Sequence, residues 1–164
     1  MLILGIDPGT ARIGIGLIRY ENKKISLEGY GCIETKPDLS DEERLLRLYN
    51  ELDKLIKKQK TDLVAIEKIF FFKNQKTIVG VSQARGVILL AAAKNKKKIM
   101  EFTPLQIKQA LTGYGRAEKK QIQQMVKAFL GLKEIPKPDD AADALAAAIC
   151  CAHFCPAPIP KKRS

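Results

Sequence analysis

The sequence predicts an α/β layered domain, a five-stranded mixed sheet flanked by helices. Three observations carry that expectation. Apolar runs of strand length, separated by turn residues, fill the first third of the chain. Helical spacing then takes over and is broken twice by short apolar runs that return the chain to the sheet. The last segment is an alanine-rich helix with acidic residues at its head.

The elements follow in order. Leu2 to Asp7 is a continuous apolar strand, and Pro8-Gly9 turns it. Ile13-Gly14-Ile15-Gly16-Leu17-Ile18 is a second strand whose glycines allow close backbone approach. Glu21-Asn22-Lys23 connects it to a third strand, Lys24 to Glu34, completing an antiparallel meander. Leu45, Leu46, Leu48, Leu52, Leu55 and Ile56 form an i, i+3, i+4 stripe. Asp41-Glu42-Glu43 opens that helix and Lys57-Lys58 closes it, complementing the helix dipole. Asp62 to Glu67 is a strand reached by a crossover, and Phe70-Phe71-Phe72-Lys73-Asn74 a loop. Thr77 to about Ala93 is a helix, and Lys98 to Phe102 the fifth strand. Thr103 and Pro104 supply a cap and a first-turn proline for a short helix to Leu111, which Gly113-Tyr114-Gly115 breaks. Ala117 to Leu130 is a further helix, and Pro138 opens the last, which runs to about His153. Residues 1–155 read as one domain, and the proline-rich basic stretch 156–164 as a disordered tail.

Composition narrows the class of protein. A chain of 164 residues can build a core without disulfides or structural metal. No apolar run reaches the roughly 20 residues of a membrane span. The start MLILGIDPG lacks a charged region and a cleavage site, so it reads as a strand and not as a secretory signal. Lys and Arg number 29 against 18 Asp and Glu, a net charge of +11 that suits a polyanion such as nucleic acid. Cys32, Cys150, Cys151 and Cys155 give no sign of an oxidising compartment, so a cytoplasmic location is expected. Cys150-Cys151-x-His153-x-Cys155 has no standard zinc spacing, and a continuous helix would splay these side chains around its axis. Buried, reduced cysteines at a helix end are the expectation.

Four acids stand where apolar side chains would normally be. Asp7 ends one apolar strand and Glu67 another, while Asp140 and Asp143 lie three residues apart on one face of the last helix. A carboxylate at the edge of a core is costly unless paired or bound to metal. Several converging from distant parts of the chain suggest a hard-cation site, with Mg²⁺ as the natural guest. Asp-Pro-Gly also serves as a plain turn, and a helix start accommodates one or two acids, Asp139 among them. Neither alternative explains an acid on the inward face. Carboxylates clustered inside a basic chain are what metal-dependent cleavage of a nucleic-acid backbone requires.

The segments LGIDPGT, AIEKIF, QARG, Tyr114-Gly115-x-Ala117-Glu118-Lys119 and DAADALA resemble, in order and spacing, the RuvC family of Holliday-junction resolvases. The resemblance runs from Met1 to about His153. It implies a ribonuclease H-like fold and a homodimeric, Mg²⁺-dependent endonuclease. Such an enzyme cuts four-way DNA junctions on opposing strands in recombination and repair, leaves 5′-phosphate nicks and acts with a branch-migration motor. It implies Asp7, Glu67, Asp140 and Asp143 as catalytic acids and metal ligands, the same four residues. Two ions per site are expected, with Mn²⁺ an alternative to Mg²⁺. Lys119 and Lys108 are expected to neutralise charge on the phosphate. Phe70, the first aromatic after Glu67, is expected to stack on an opened base, with Lys73, Lys108 and Lys119 touching DNA. The helix from Thr77 is apolar on more than one side, which suits a dimer interface and packing on the sheet alike. The triple phenylalanine, the cysteine cluster and the basic tail match nothing in the family pattern.

Two rivals remain at this stage. Asp7-Pro8-Gly9-Thr10 resembles the phosphate-cradling turn of actin-like and sugar-kinase phosphotransferases, but those enzymes need a second lobe. A catalytically silent junction- or RNA-binding module would have no use for the DAADALA helix.

Overall fold

The computed structural model describes residues 1–36, 38–68 and 78–155. The Phe70 and Lys73 expectations, and the tail, lie outside them. Strands β1 (Leu2–Asp7), β2 (Arg12–Glu21), β3 (Lys24–Glu34), β4 (Leu63–Glu67) and β5 (Lys98–Phe102) form one sheet in the order β3-β2-β1-β4-β5. The first three are antiparallel neighbours, and β4 and β5 add parallel on the other side of β1. The two residues between β2 and β3, Asn22 and Lys23, both have positive φ, the left-handed pair that lets a tight hairpin follow the twist of its strands. β2 extends to Arg12 and Glu21, beyond its apolar segment, because β3 is long enough to pair with its polar ends.

Strand alternation separates two cores. Leu2, Leu4 and Ile6 of β1, with Val64 and Ile66 of β4, face helices α1 (Asp41–Gln59) and α2 (Ile78–Lys94). Ile3, Leu63 and Ala65 face the opposite way, toward α3 (Pro104–Thr112), α4 (Lys119–Phe129) and α5 (Asp139–Phe154). On α1 the stripe is narrower than its leucines suggest. Leu48, Leu52 and Ile56 are buried, whereas Leu46 is 61% exposed. Ser40 and Glu43 form a reciprocal capping box at the start of α1, which fixes its first turn. Arg85 of α2 pairs with Glu101 of β5, tying that helix to the sheet edge.

Helix α5 lies directly on the sheet, and small residues on both sides make that possible. A Cβ at Gly5 would meet the Ala144 carbonyl oxygen at 2.0 Å, and one at Gly14 the Asp140 carbonyl oxygen at 1.9 Å. Nearly all of α5 from Ala141 to Ala152 is buried, with Asp143 the exception. Seating the backbone of Asp140 over β2 brings the acidic head of α5 to the end of β1.

Candidate active site

Residue parity places the two strand acids together. Asp7 continues the Ile3–Gly5 face of β1, and Glu67 continues the Leu63–Ala65 face of β4. The parallel register pairs Ile6 with Ile66, so one further step sets Asp7 beside Glu67. Both side chains therefore emerge under the head of α5. With Asp143, Lys119 and Lys108 they line an open cavity of about 510 Å³. Thr103 and Gln106 cap α3 reciprocally, fixing the turn that presents Lys108 to this cavity.

The charges are unevenly compensated. Asp7 is pushed up to about 8, first by burial and then by repulsion from Glu67, Asp143 and Asp140, with Lys119 opposing. Glu67 is pushed up to about 7 by burial and by Asp143, against the pull of Lys119 and Lys108. Asp143 is raised by burial, although its hydrogen bond from Lys119 works the other way. Lys119 Nζ donates to Asp143 Oδ2 at 2.9 Å and lies 3.5 Å from Asp139 Oδ2. Burial disfavours its charge, but these two carboxylates outweigh that and hold the ammonium protonated. A lysine opening α4, against the helix dipole, is thereby explained by partners on another helix.

Asp140 does not join the other three. Its carboxylate lies 3.5 Å from Nη1 of Arg12, whose Nε donates to Glu34 at 2.9 Å. It lines a neighbouring cavity with Gly9, Thr10, Arg12, Glu34 and Thr35. The i, i+3 spacing predicts one shared face for the helix acids, yet at the strand ends they open into adjacent cavities. Sequence reasoning passed over Arg12 and Lys68. Lys68 follows Glu67 and lines the main cavity. The signal for both was charge immediately beside a candidate acid or its turn.

The donor set suits a hard divalent cation, since its carboxylate oxygens converge at the ends of the strands and the head of α5. Burial first, and neighbouring carboxylates second, push Asp7 and Glu67 upward. Among the described residues, no three candidate ligands already converge into a metal-binding group. Asp143 and Asp140 are instead engaged by Lys119 and Arg12. At the other end of α5, Cys150 and Cys151 are buried, while His153 is exposed and packs edge-on against Phe129. Cys151 Sγ lies 3.9 Å from Cys155 Sγ and 3.8 Å from Met100 Sδ.

A five-stranded mixed sheet with acids at the ends of its first and fourth strands and on its last helix defines a ribonuclease H-like nuclease. Comparison with known proteins takes this further. The family described as crossover junction endodeoxyribonuclease RuvC matches residues 3–151. The RuvC of Fusobacterium nucleatum is 59% identical over 94% of this chain and 80% of its own. That of Desulfitobacterium hafniense is 56% identical over 93% of each. The Thermus thermophilus RuvC structure superposes with a TM-score of 0.88 at 34% identity, covering 94% of this chain and 95% of that one. Thermus thermophilus RuvC in complex with Holliday junction substrate gives a TM-score of 0.85 at 32% identity, covering 94% of both. The yeast mitochondrial resolvase Ydc2 shares the fold, with a TM-score of 0.65 at 12% identity, over 92% of this chain and 78% of its own. The chain belongs to the RuvC family of crossover junction endodeoxyribonucleases.

Proposed function

We propose that this endonuclease binds four-way DNA junctions and nicks two opposing strands, using a pair of Mg²⁺ ions held by Asp7, Glu67, Asp143 and Asp140. The observation that carries this reading is the placement of Asp7 beside Glu67 in the cavity, both pushed up by burial and by neighbouring carboxylates. Bound ions would activate a water and stabilise the leaving 3′-oxygen, as two-metal sites do. Asp7, at the end of the central β1, would hold metal together with Glu67 beside it. Lys119 and Lys108 line the same cavity, where their ammonium groups would neutralise charge on the phosphate. Phe70 would stack on an opened base and Lys73 would hold the backbone.

Two opposing nicks call for two sites related by a two-fold axis, hence a homodimer. Helix α2 has the surface for it. Val79 is 65% and Leu90 53% exposed, and a Cβ at Gly86, between them on the same outward stripe, would meet nothing. The same reading includes a branch-migration motor as partner, a cytoplasmic location, a nuclease domain over 1–155 and a separate tail at 156–164. No helix among the described residues is long and apolar enough to cross a membrane.

The test is to incubate the protein with a mobile four-way junction and map the nicks. Paired nicks on opposing strands are expected with Mg²⁺ or Mn²⁺, and none in a chelator. Binding without nicks under any divalent ion would reduce the protein to a junction-binding module.

A further inference from the structure

The four acids of the site are kept apart in two different ways. Asp7 and Glu67 have no ion-pair partner among the described residues. The helix acids are held by cations from other elements: Asp143 by Lys119, and Asp140 by Arg12. Lys119 lines the same cavity as its carboxylate partner, inside the cluster. Arg12 lies outside it, and its contact with Asp140 draws that acid toward the neighbouring cavity of about 560 Å³.

Arg12 is built to release what it holds. It is the first residue of β2, and the antiparallel register sets it opposite Glu34 of β3. Its Nε–Glu34 bond at 2.9 Å is the short one, and the Nη1–Asp140 contact at 3.5 Å is the long one. The guanidinium therefore stays anchored on Glu34 whether or not Asp140 remains. The backbone of Asp140 is fixed, because its carbonyl oxygen is seated where a Cβ of Gly14 would be. Only the Asp140 side chain is left to choose between a cation outside the cluster and a cation inside it.

We propose that Arg12 is a positioning residue that holds the Asp140 carboxylate out of the metal cluster, so that an entering divalent ion must compete with the guanidinium for its fourth acid. This rests on the reading of the four acids as metal ligands. Arg12 does not line the cavity of Asp7 and Glu67, and acts on it through Asp140. An exposed ion pair of this kind is weak, so the competition is worth about a two- to fivefold change in affinity. Once Asp140 has left, Arg12 keeps its partner Glu34.

The experiment is a calorimetric titration of Mn²⁺ into the metal-free full-length chain without DNA. It compares the wild type, Arg12→Gln, Asp140→Asn and the double variant. Arg12→Gln should tighten Mn²⁺ binding about two- to fivefold, and in the Asp140→Asn background the same change should have no effect. Unchanged or weakened binding in Arg12→Gln would overturn the proposal. Equal tightening in both backgrounds would overturn it too, since the effect would then be the general field of one fewer positive charge. A wild type that takes up no Mn²⁺ at all would instead sink the metal-site reading on which the proposal rests.

Discussion

The two ends of α5 rest on the same face of the same sheet, yet they follow opposite rules. At the far end, Ile149, Cys150 and Cys151 are fully buried among apolar neighbours. The Cys150 thiol is pushed up to about 12 by burial alone, which keeps it an uncharged, packing side chain. At the head, Asp143 joins Asp7 and Glu67 in one cavity, and burial together with neighbouring carboxylates disfavours the charge of all three. One helix thus contains a region optimised for the fold and one that stays unfavourable until something else binds. A site that must grip a cation keeps charges that the fold alone would reject.

The largest effect that tests this contrast is on cleavage. Asp7→Asn and Glu67→Gln should abolish nicking in Mg²⁺ while leaving junction binding intact or tighter, since each removes repulsion and leaves the basic surface untouched. Gel-shift and nicking assays on the same preparations would measure both. Near-normal rates in either variant would mean that the head of α5 is only an awkward piece of structure. Next in size is Lys119→Ala. Removing the ammonium that shares the cavity with Asp143 should slow single-turnover cleavage by roughly a hundredfold or more at saturating protein. If affinity falls with an unchanged rate, Lys119 holds the DNA backbone and not the scissile phosphate.

The far end should show the reverse pattern. Cys150→Ser buries a hydroxyl with no partner, at a cost of about 1–3 kcal/mol. For a chain of this size that lowers Tm by about 2–4 °C per kcal/mol. The cleavage rate of the folded fraction should not change. A variant with normal Tm and impaired nicking would give the cysteine end a role in the reaction.

How much of this contrast was legible in the sequence depends on the distance over which each partner had to be seen. Asp7 and Glu67 could be read because each closes an apolar strand, and strand parity alone fixes which face they take. The start of α4 was placed at Ala117 but falls at Lys119, because Glu118 is drawn out as the cap by its exchange with Gln121. Leu46 fits the helical stripe yet is exposed, since periodicity says which residues share a face and not how wide a strip the sheet covers. The Arg12–Asp140 contact spans 128 residues of sequence and no local pattern announces it. The resemblance implies the four acids but says nothing of the cations that hold two of them, Lys119 on Asp143 and Arg12 on Asp140.

The smallest effect, and the one that isolates the cost of the acidic head, is the pH dependence of stability in the absence of metal. Asp7 moves from 3.8 to about 8 on folding, and Glu67 from 4.5 to about 7. Between those values the folded chain holds protons that the unfolded chain has already released. Raising the pH through this window therefore favours unfolding, and stability falls with rising pH. The carboxylates that folding lowers, Asp53 and Glu42, act the other way but below their ordinary values of 3.8 and 4.5, at the acid edge of the window. Melting temperature in a chelator should accordingly decline as the pH rises from about 5 to 8. Asp7→Asn should melt higher than the wild type at pH 8 and show a shallower decline. Saturating Mg²⁺ should flatten the wild-type profile, because a bound cation replaces the protons. The far end of α5 contributes nothing to this slope, so Cys150→Ser should shift the whole curve down without changing its shape. If Asp7→Asn and the wild type decline in parallel, the strain lies elsewhere, and the head of α5 is as well accommodated by the fold as its tail.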